Sequence, residues 1–230
     1  MATVNNQELH LYTYFRSTSS ARIRTAASIK GLALVYHYIS IPNGEHLSSD
    51  YEKLNPNHTV PTLVVKEGNG EIIHITQSMA ILEFFEECYP GKTSLLPPAD
   101  DLVGRAHVRE MAHLIASDVQ PPTNQRILKR VRGAGGNAEE WAKDIMAAGL
   151  LAFEKLAVSR AGQCSFGDTL TVADVILCPA IENAVRYGVD LDDLPTIKRV
   201  YMRLRDLEAF QKGDWKHQED TPEELRPYER

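Results

Sequence analysis

The spacing of apolar positions differs between the first ninety residues and the rest of the chain. Leu9–Tyr14 and Leu34–Ile41 alternate apolar and polar residues and are rich in strand formers, so each is a predicted strand. Ser20–Lys30 between them has helical character, and Gly31 provides a stop. A strand, a helix and a strand in this order predict a parallel, right-handed βαβ unit.

A hairpin and a second helix are predicted to complete this region. Thr62–Val65 and Ile72–Ile75 read as strands, and Glu67–Gly70 between them has the Gly and Asn that a hairpin loop requires. A helix is expected from about Gln77. Its predicted buried stripe follows the i, i+3, i+4, i+7 spacing and consists of Ile81, Phe84, Phe85 and Cys88.

Residues 89–101 are rich in proline and separate two different patterns, which marks a domain boundary. The predicted division is an α/β domain at residues 1–90, a linker at 91–101 and an all-helical domain at 102–230. Three apolar helix faces are expected in the second domain: Val108, Met111, Ala112, Ile115 and Val119; Trp141, Ile145, Ala148, Ala152 and Leu156; Ile197, Val200, Tyr201, Leu204 and Leu207.

One helix of the second domain is expected to lie at its centre. Thr171–Asp174 fits a capping box, with Asp in place of the usual Glu. The segment that follows, Val175–Ile181, is apolar nearly all round, so the helix that it forms is predicted to be buried on every side.

Composition excludes several function classes. There are 25 basic and 31 acidic residues, a net charge of -6, which argues against a general nucleic-acid binder. Three cysteines without CxxC spacing favour a reducing compartment, and no metal-ligand spacing occurs, so no metal is expected. Without a visible signal sequence or membrane-length apolar run, a cytoplasmic location is expected.

The segment Phe15–Arg22 is the first candidate for chemistry, because its four hydroxyl residues lie between a strand and a helix. Open α/β folds bind ligands at this end of the strand, where the helix start offers free N–H groups and the positive end of its dipole. Such a site stabilises an anion, although simple capping by one Ser is the alternative. Arg22 and Arg24 are either ligand contacts or solvated charges on the helix.

Two further candidates are turns that precede secondary structure. Pro61 directly precedes a predicted strand and cannot donate a backbone hydrogen bond, so the backbone of Val60 is available to an extended ligand. The alternative is a plain turn before the strand. Gln77 and Ser78 open a helix whose N–H groups suit a carboxylate, unless Ser78 is only a cap. Cys88 and Cys178 read as core residues, and Cys164 is assigned no role.

The order of these elements resembles the cytosolic glutathione transferases, and narrower motifs resemble their zeta class, the maleylacetoacetate isomerases. The resemblance extends from about Leu9 to Leu225. The motifs that resemble cytosolic glutathione transferases in general are Val60–Pro61, Gln77–Ser78, Gly167–Asp168 and Thr171–Asp174. The motifs that resemble the zeta class are Tyr14–Ser17, Arg22–Arg24, Gln120–Pro121, Asn183–Arg186 and Asp220–Leu225. The resemblance implies a thioredoxin-like domain that holds glutathione, an all-helical domain that completes the substrate pocket, and a homodimer.

Site residues follow from the resemblance position by position. The Ser-Ser-Cys of the family falls on Ser17, Thr18 and Ser19 as the catalytic group. The remaining implied contacts are His46, Val60, Gln77, Ser78, Gln120 and Asn124 for glutathione, and Arg22 and Arg186 for the substrate. The sequence departs from the family in four places, with Thr18 for Ser, Ser19 for Cys, His46 for Gln and Ala21 for Trp. Any role that needed the Cys is therefore lost, while a hydroxyl remains at position 18.

The activity that the resemblance implies is the glutathione-dependent cis-trans isomerisation of maleylacetoacetate to fumarylacetoacetate in tyrosine and phenylalanine catabolism. The thiolate adds to the double bond, the bond rotates, and elimination follows. Two alternatives stay open. One is a glutathione transferase that conjugates or dehalogenates small electrophiles such as α-halo acids. The other is a catalytically weak glutathione-binding protein.

Overall fold

The computed structural model describes residues 7–226, which fall into two compact units. The first unit contains residues 7–94 together with 208–226, and the second contains residues 95–207. The boundary near residue 94 lies inside the predicted linker. The C-terminal residues from Glu208 onward belong to the first unit, whereas the predicted helical domain extended to residue 230.

Among the described residues, the first unit contains four strands and four α-helices. In chain order these are β1 (Glu8–Thr13), α1 (Thr18–Lys30), β2 (Leu34–Tyr38), α2 (Ser49–Leu54), β3 (Thr62–Lys66), β4 (Ile72–Thr76) and α3 (Ser78–Cys88), with one later helix of the C-terminal segment. The sheet order is β2-β1-β3-β4. Strands β1 and β2 are parallel, and β3 is antiparallel to both β1 and β4. The thioredoxin-like arrangement of βαβ followed by ββα is confirmed. The short helix α2 was not predicted from the sequence.

The two central strands of the sheet, β1 and β3, are buried on one face. Leu11 of β1 and Leu63 of β3 are partners in the antiparallel register, and both have 0% exposure. Thr13 lies on the same face as Leu11, and its hydroxyl accepts a hydrogen bond from Arg24 of α1. This face of the sheet therefore lies against α1.

Apolar residues of α1 and α3 complete that core. In α3, Ile81 and Phe85 are buried as predicted. Phe84 and Cys88 of the predicted stripe are only half-buried, and Leu82 is buried beside Ile81.

The second unit is helical. Its elements are α4 (Leu102–His113), a π-helical continuation (Leu114–Val119), α5 (Gln125–Gly133), α6 (Ala138–Ala157), α7 (Val172–Arg186) and α8 (Pro195–Leu204). The predicted face of α4 and its continuation is confirmed, since all five of its residues are buried. Residues Val172 to Cys178 of α7 are also buried throughout, as expected for a central helix.

The predicted apolar face of α6 is wrong. Trp141 is 45% exposed, and the buried residues are instead Ala142, Met146, Leu150, Phe153 and Ala157. Four of the five positions shift by one residue and the third by two, from Ala148 to Leu150. A shift of one residue is a rotation of about 100° around the helix. Both have helical spacing, so periodicity alone does not choose between them.

A short helix, α9 (Glu208–Gly213), returns the chain to the first unit. Gly213 lies so close to α1 that a Cβ atom there would be 1.9 Å from the hydroxyl oxygen of Thr25. A glycine is therefore required where the two helices meet. No helix within residues 7–226 has the length and hydropathy needed to span a bilayer.

The carboxylate of Asp174 organises the start of α7. It accepts hydrogen bonds from the Ser165 N–H at 2.7 Å and from the Thr171 N–H at 2.8 Å, and the Thr171 hydroxyl lies at 3.1 Å. Asp174 is completely buried, and this burial raises its pKa, while the bonds from Ser165 and Thr171 act in the opposite direction. The predicted capping box is present, and it also fastens the preceding loop.

We expect Asp174→Asn to lower the free energy of unfolding by about 3 kcal/mol, because an amide NH2 would face buried N–H donors. Urea denaturation followed by circular dichroism measures this change. The matched control is Asp192→Asn, whose carboxylate pairs with Lys198 at the surface and is 74% exposed, and which should cost less than about 1 kcal/mol. Equal effects of the two substitutions would contradict the assigned role of Asp174.

Candidate functional site

The hydroxyl cluster lies at the N-terminus of α1, as the sequence predicted. Ser17 is the N-cap, and its Oγ accepts a hydrogen bond from the Ser20 N–H at 3.1 Å. Thr18 and Ser19 form the first turn and are half-buried. Their hydroxyls make no hydrogen bond within residues 7–226. The capping alternative therefore applies to Ser17, while Thr18 and Ser19 remain available as donors to an anion at the positive end of the helix.

The loop that carries this cluster is held by Arg24. Its guanidinium donates to the Thr13 hydroxyl at 2.9 Å, to the Phe15 carbonyl at 3.2 Å and to the Gly213 carbonyl at 3.0 Å. Arg24 is 1% exposed, and this burial lowers its pKa to about 10. It is neither solvated nor directed at a ligand, and its bonds fix the loop before α1 and attach α9.

The C-terminal segment contacts the same loop, and sequence reasoning gave this contact no role. The Phe15 N–H donates to a carboxylate oxygen of Asp220 at 2.8 Å. The Arg16 guanidinium lies 5.2 Å from the ring centroid of Trp215, within cation–π range. The partners are about two hundred positions apart, so no local pattern in the sequence connects them. Burial raises the pKa of Asp220.

Arg22 is also buried, at 2% exposure, and it reaches the start of α3. Its Nη1 donates to the Ser78 Oγ at 3.0 Å, and its Nε has no hydrogen-bond partner in the described part of the chain. Burial alone lowers the pKa of Arg22 to about 10, so it stays charged at neutral pH. The structure thus brings a buried positive charge next to the predicted carboxylate site.

The start of α3 is unusual in its backbone. Gln77 precedes the helix at φ 73°, in the region that favours glycine, and its side chain makes no capping bond. The first N–H groups of α3 are therefore not capped by Gln77. Strained backbone at an uncapped helix N-terminus, beside a buried cation, suits a bound anion.

The remaining glutathione candidates of the first unit lie in loops. The Val60–Pro61 peptide is cis, and the Val60 backbone makes no hydrogen bond within residues 7–226. His46 lies in a short 3-10 turn, and its carbonyl accepts from the His58 Nδ1 at 2.9 Å. The His46 Nδ1 is buried without a partner among the described residues, and desolvation, followed by the charge of His58, lowers its pKa.

Three of the predicted ligand contacts lie in the second unit. Gln120 ends the π-helical segment, and Asn124 caps α5 by accepting from the Arg126 N–H at 3.2 Å. Arg186 ends α7 and is exposed, with its guanidinium 4.8 Å from the Tyr187 ring centroid and bonded to the Asn183 side chain at 2.8 Å. Within this unit, a 3.4 Å contact from Gln125 to the Tyr187 hydroxyl connects the start of α5 with the end of α7.

No group of three or more His, Cys, Asp or Glu side chains within residues 7–226 could hold a metal ion. The three cysteines are free thiols. Burial raises the pKa of Cys88, raises that of Cys164 to about 11 and raises that of Cys178 well above its ordinary value. None of them is activated as a nucleophile.

Comparison with known proteins identifies the family. Residues 16–88 match the glutathione S-transferase N-terminal domain. The maleylacetoacetate isomerase of Aspergillus fumigatus is 43% identical over 98% of both chains. The chain belongs to the maleylacetoacetate isomerase family of glutathione transferases. As a member of this family, it is an enzyme.

Solved structures of the same family are similar to this chain in both sequence and fold. The maleylacetoacetate isomerase of Anaeromyxobacter dehalogenans, with glutathione bound in its active site, is 39% identical and superposes with a TM-score of 0.87 over 94% of this chain and 99% of that one. A bacterial maleylpyruvate isomerase of the zeta class is 35% identical, with a TM-score of 0.85 over 93% of this chain and all of the other. The zeta-class resemblance is confirmed.

We expect Arg24→Lys to destabilise the first unit by about 3 kcal/mol, because an ammonium cannot reach all the acceptors of the guanidinium. Trp215 lies in the first unit and Trp141 in the second, so a Trp141→Phe background lets fluorescence follow the first unit during urea unfolding. Arg199→Lys is the matched control, since Arg199 is exposed and bonds one carbonyl, that of Gly162. An unchanged unfolding midpoint for Arg24→Lys would show that Arg24 does not hold the loop.

Proposed function

We propose that the protein is a glutathione-dependent maleylacetoacetate isomerase, which forms fumarylacetoacetate in tyrosine and phenylalanine catabolism. The observation that carries this proposal is the uncommitted hydroxyl pair at the N-terminus of α1, in a chain whose relatives include named maleylacetoacetate isomerases. Glutathione is the proposed cofactor.

The residues present fit glutathione, a tripeptide with two carboxylates and a thiol. The start of α3 combines uncapped N–H groups, the Ser78 hydroxyl and the Arg22 charge, which suits one carboxylate. The N–H and carbonyl of Val60, which have no partner in the described part of the chain, suit an extended peptide backbone. His46, Gln77, Gln120 and Asn124 complete the proposed glutathione contacts, and for Gln120 and Asn124 the support is the family resemblance alone.

The first turn of α1 is proposed to stabilise a thiolate. A free thiol has a pKa of ~8.5, so only a few per cent is thiolate near pH 7. Lowering the pKa by about two units requires ~2.7 kcal/mol of preference for the anion. Hydroxyl donors from Thr18 and Ser19, with the helix dipole, supply interactions of this size. Ser17 fixes the turn as its cap and retains its own proton for donation.

Bound glutathione supplies the thiolate that adds to the cis double bond and leaves after the bond has rotated. The chain supplies the electrostatic stabilisation of that sulfur and the orientation of the substrate. Arg186 is proposed to bind a substrate carboxylate, because its exposed guanidinium can form two parallel bonds with one.

A homodimer in the cytoplasm is also proposed. Its support is the family resemblance and three free cysteines, which suit a reducing compartment. Light scattering coupled to size exclusion measures the mass, and a value equal to the 25.7 kDa of one chain would contradict the dimer.

The function is tested with purified protein, glutathione and maleylacetoacetate, following fumarylacetoacetate formation. We expect turnover far above the uncatalysed glutathione reaction. Parallel assays with maleylpyruvate and dichloroacetate identify the preferred substrate class. Turnover of dichloroacetate without isomerisation would overturn the proposal in favour of a dehalogenating transferase.

We expect Thr18→Val to lower turnover by about tenfold or more, and Ser19→Ala to lower it much less. The reason is that position 18 retains the hydroxyl that the family has there. The absorbance of bound thiolate near the ultraviolet edge, titrated against pH, measures the change in thiol pKa. Ser17→Ala serves as the comparison and should lower the free energy of unfolding by about 1 kcal/mol through loss of the cap. The reverse ranking of Thr18 and Ser19 would show that Ser19 is the principal donor.

A further inference from the structure

Helix α1 contains two buried arginines with different surroundings. Arg24 makes several hydrogen bonds that explain its burial. Arg22 is as deeply buried, yet within residues 7–226 its guanidinium makes one hydrogen bond, to the Ser78 Oγ, and its Nε lacks a partner. No carboxylate of the described chain lies within ion-pair distance of its guanidinium. An unpaired buried charge is costly, so the fold alone does not account for Arg22.

We propose that Arg22 is a positioning residue that acts through Ser78 on the carboxylate of bound glutathione, rather than a substrate contact. This inference rests on the proposed function. A guanidinium can only donate hydrogen bonds, so the Ser78 Oγ must be the acceptor at 3.0 Å. A hydroxyl has a single proton, and that proton is then left to donate elsewhere. Arg22 thus fixes Ser78 as a donor to an anion.

The position of Ser78 gives that donor its target. Ser78 is the first residue of α3, directly after the strained and uncapped Gln77, where the helix N–H groups favour an anion. Arg22 is 2% exposed, so its charge next to Ser78 is only weakly screened by solvent. A carboxylate at the start of α3 would therefore receive the Ser78 proton and offset the buried charge of Arg22.

The test is a double-mutant cycle on glutathione affinity, measured by calorimetry with glutathione itself. Arg22→Met removes the charge at similar length, and Ser78→Ala removes the hydroxyl. We expect each to raise the dissociation constant 10- to 100-fold. If Arg22 acts through Ser78, the two effects should not add. The dissociation constant of the double variant should then be no more than about threefold above that of the single variant that binds glutathione more weakly. A double variant whose increase in the dissociation constant equals the product of the two single increases would show that the residues act independently, and it would overturn the proposal.

The same variants separate positioning from direct contact with the substrate. We expect Arg22→Met to raise the KM for glutathione while kcat at saturating glutathione changes less than threefold. A raised KM for the dicarboxylate substrate, with unchanged glutathione affinity, would overturn the proposal in favour of a direct substrate contact.

The control is Lys30→Met, which removes another buried cation of α1. Lys30 pairs with Glu86 at 2.6 Å, away from Ser78. This variant should lose stability but keep the glutathione affinity of the wild type. If Arg22→Met fails to fold, Arg22→Lys serves instead. It keeps the charge without the planar fork, and the proposal expects a three- to tenfold loss of affinity; no loss would contradict it.

Calorimetry also separates this inference from the proposed function. A wild-type protein that binds glutathione but does not isomerise would overturn the function only. Wild-type affinity in Arg22→Met would overturn the inference only, and a wild-type protein that fails to bind glutathione would overturn both.

Discussion

The buried cations of α1 determine how the first unit is assembled. Lys30 at the end of the helix pairs with Glu86 of α3 and donates to the Thr93 carbonyl at 2.9 Å. Arg24 in the middle bonds the loop after β1 and the end of α9, and Arg22 near the start bonds Ser78 of α3. A buried charge is tolerated only where its hydrogen bonds are satisfied, so each contact restricts where a neighbouring element can lie.

The same contacts place two helix N-termini in defined surroundings. Arg24 fixes the loop that leads into Ser17, and Ser17 caps α1. Arg22 connects α1 to the first residue of α3. Both termini offer N–H groups and hydroxyls, which stabilise anions. The thiolate and a carboxylate of one tripeptide are anions of the kind that such termini bind.

The polar side chains of α1 differ in how far the protein itself satisfies their hydrogen bonds. Arg24 has its hydrogen bonds satisfied by the protein, as expected of a structural residue. The side chains of Thr18, Ser19 and Arg22 keep unused hydrogen-bonding capacity in the described chain. Polar groups left unsatisfied at one end of an otherwise well-bonded helix are a feature of binding sites, because a ligand completes them.

The sequence by itself determined most of the element types, the hairpin, the capping box of α7 and the hydroxyl cluster, because these depend on periodicity and on residues within a few positions of one another. The family and the fold also followed from motifs spread along the chain. Local patterns did not choose between the two apolar stripes of α6, since both have helical spacing and packing partners decide which is buried.

Only the tertiary structure decided the roles of the arginines and of the C-terminal segment. Arg22 and Arg24 are two positions apart and look alike in sequence, but one reaches Ser78 and the other reaches Gly213. Asp220 meets Phe15 across a separation of 205 positions. A buried charge takes its role from the groups that the fold brings to it, and long-range contacts of this kind leave no local trace in the chain.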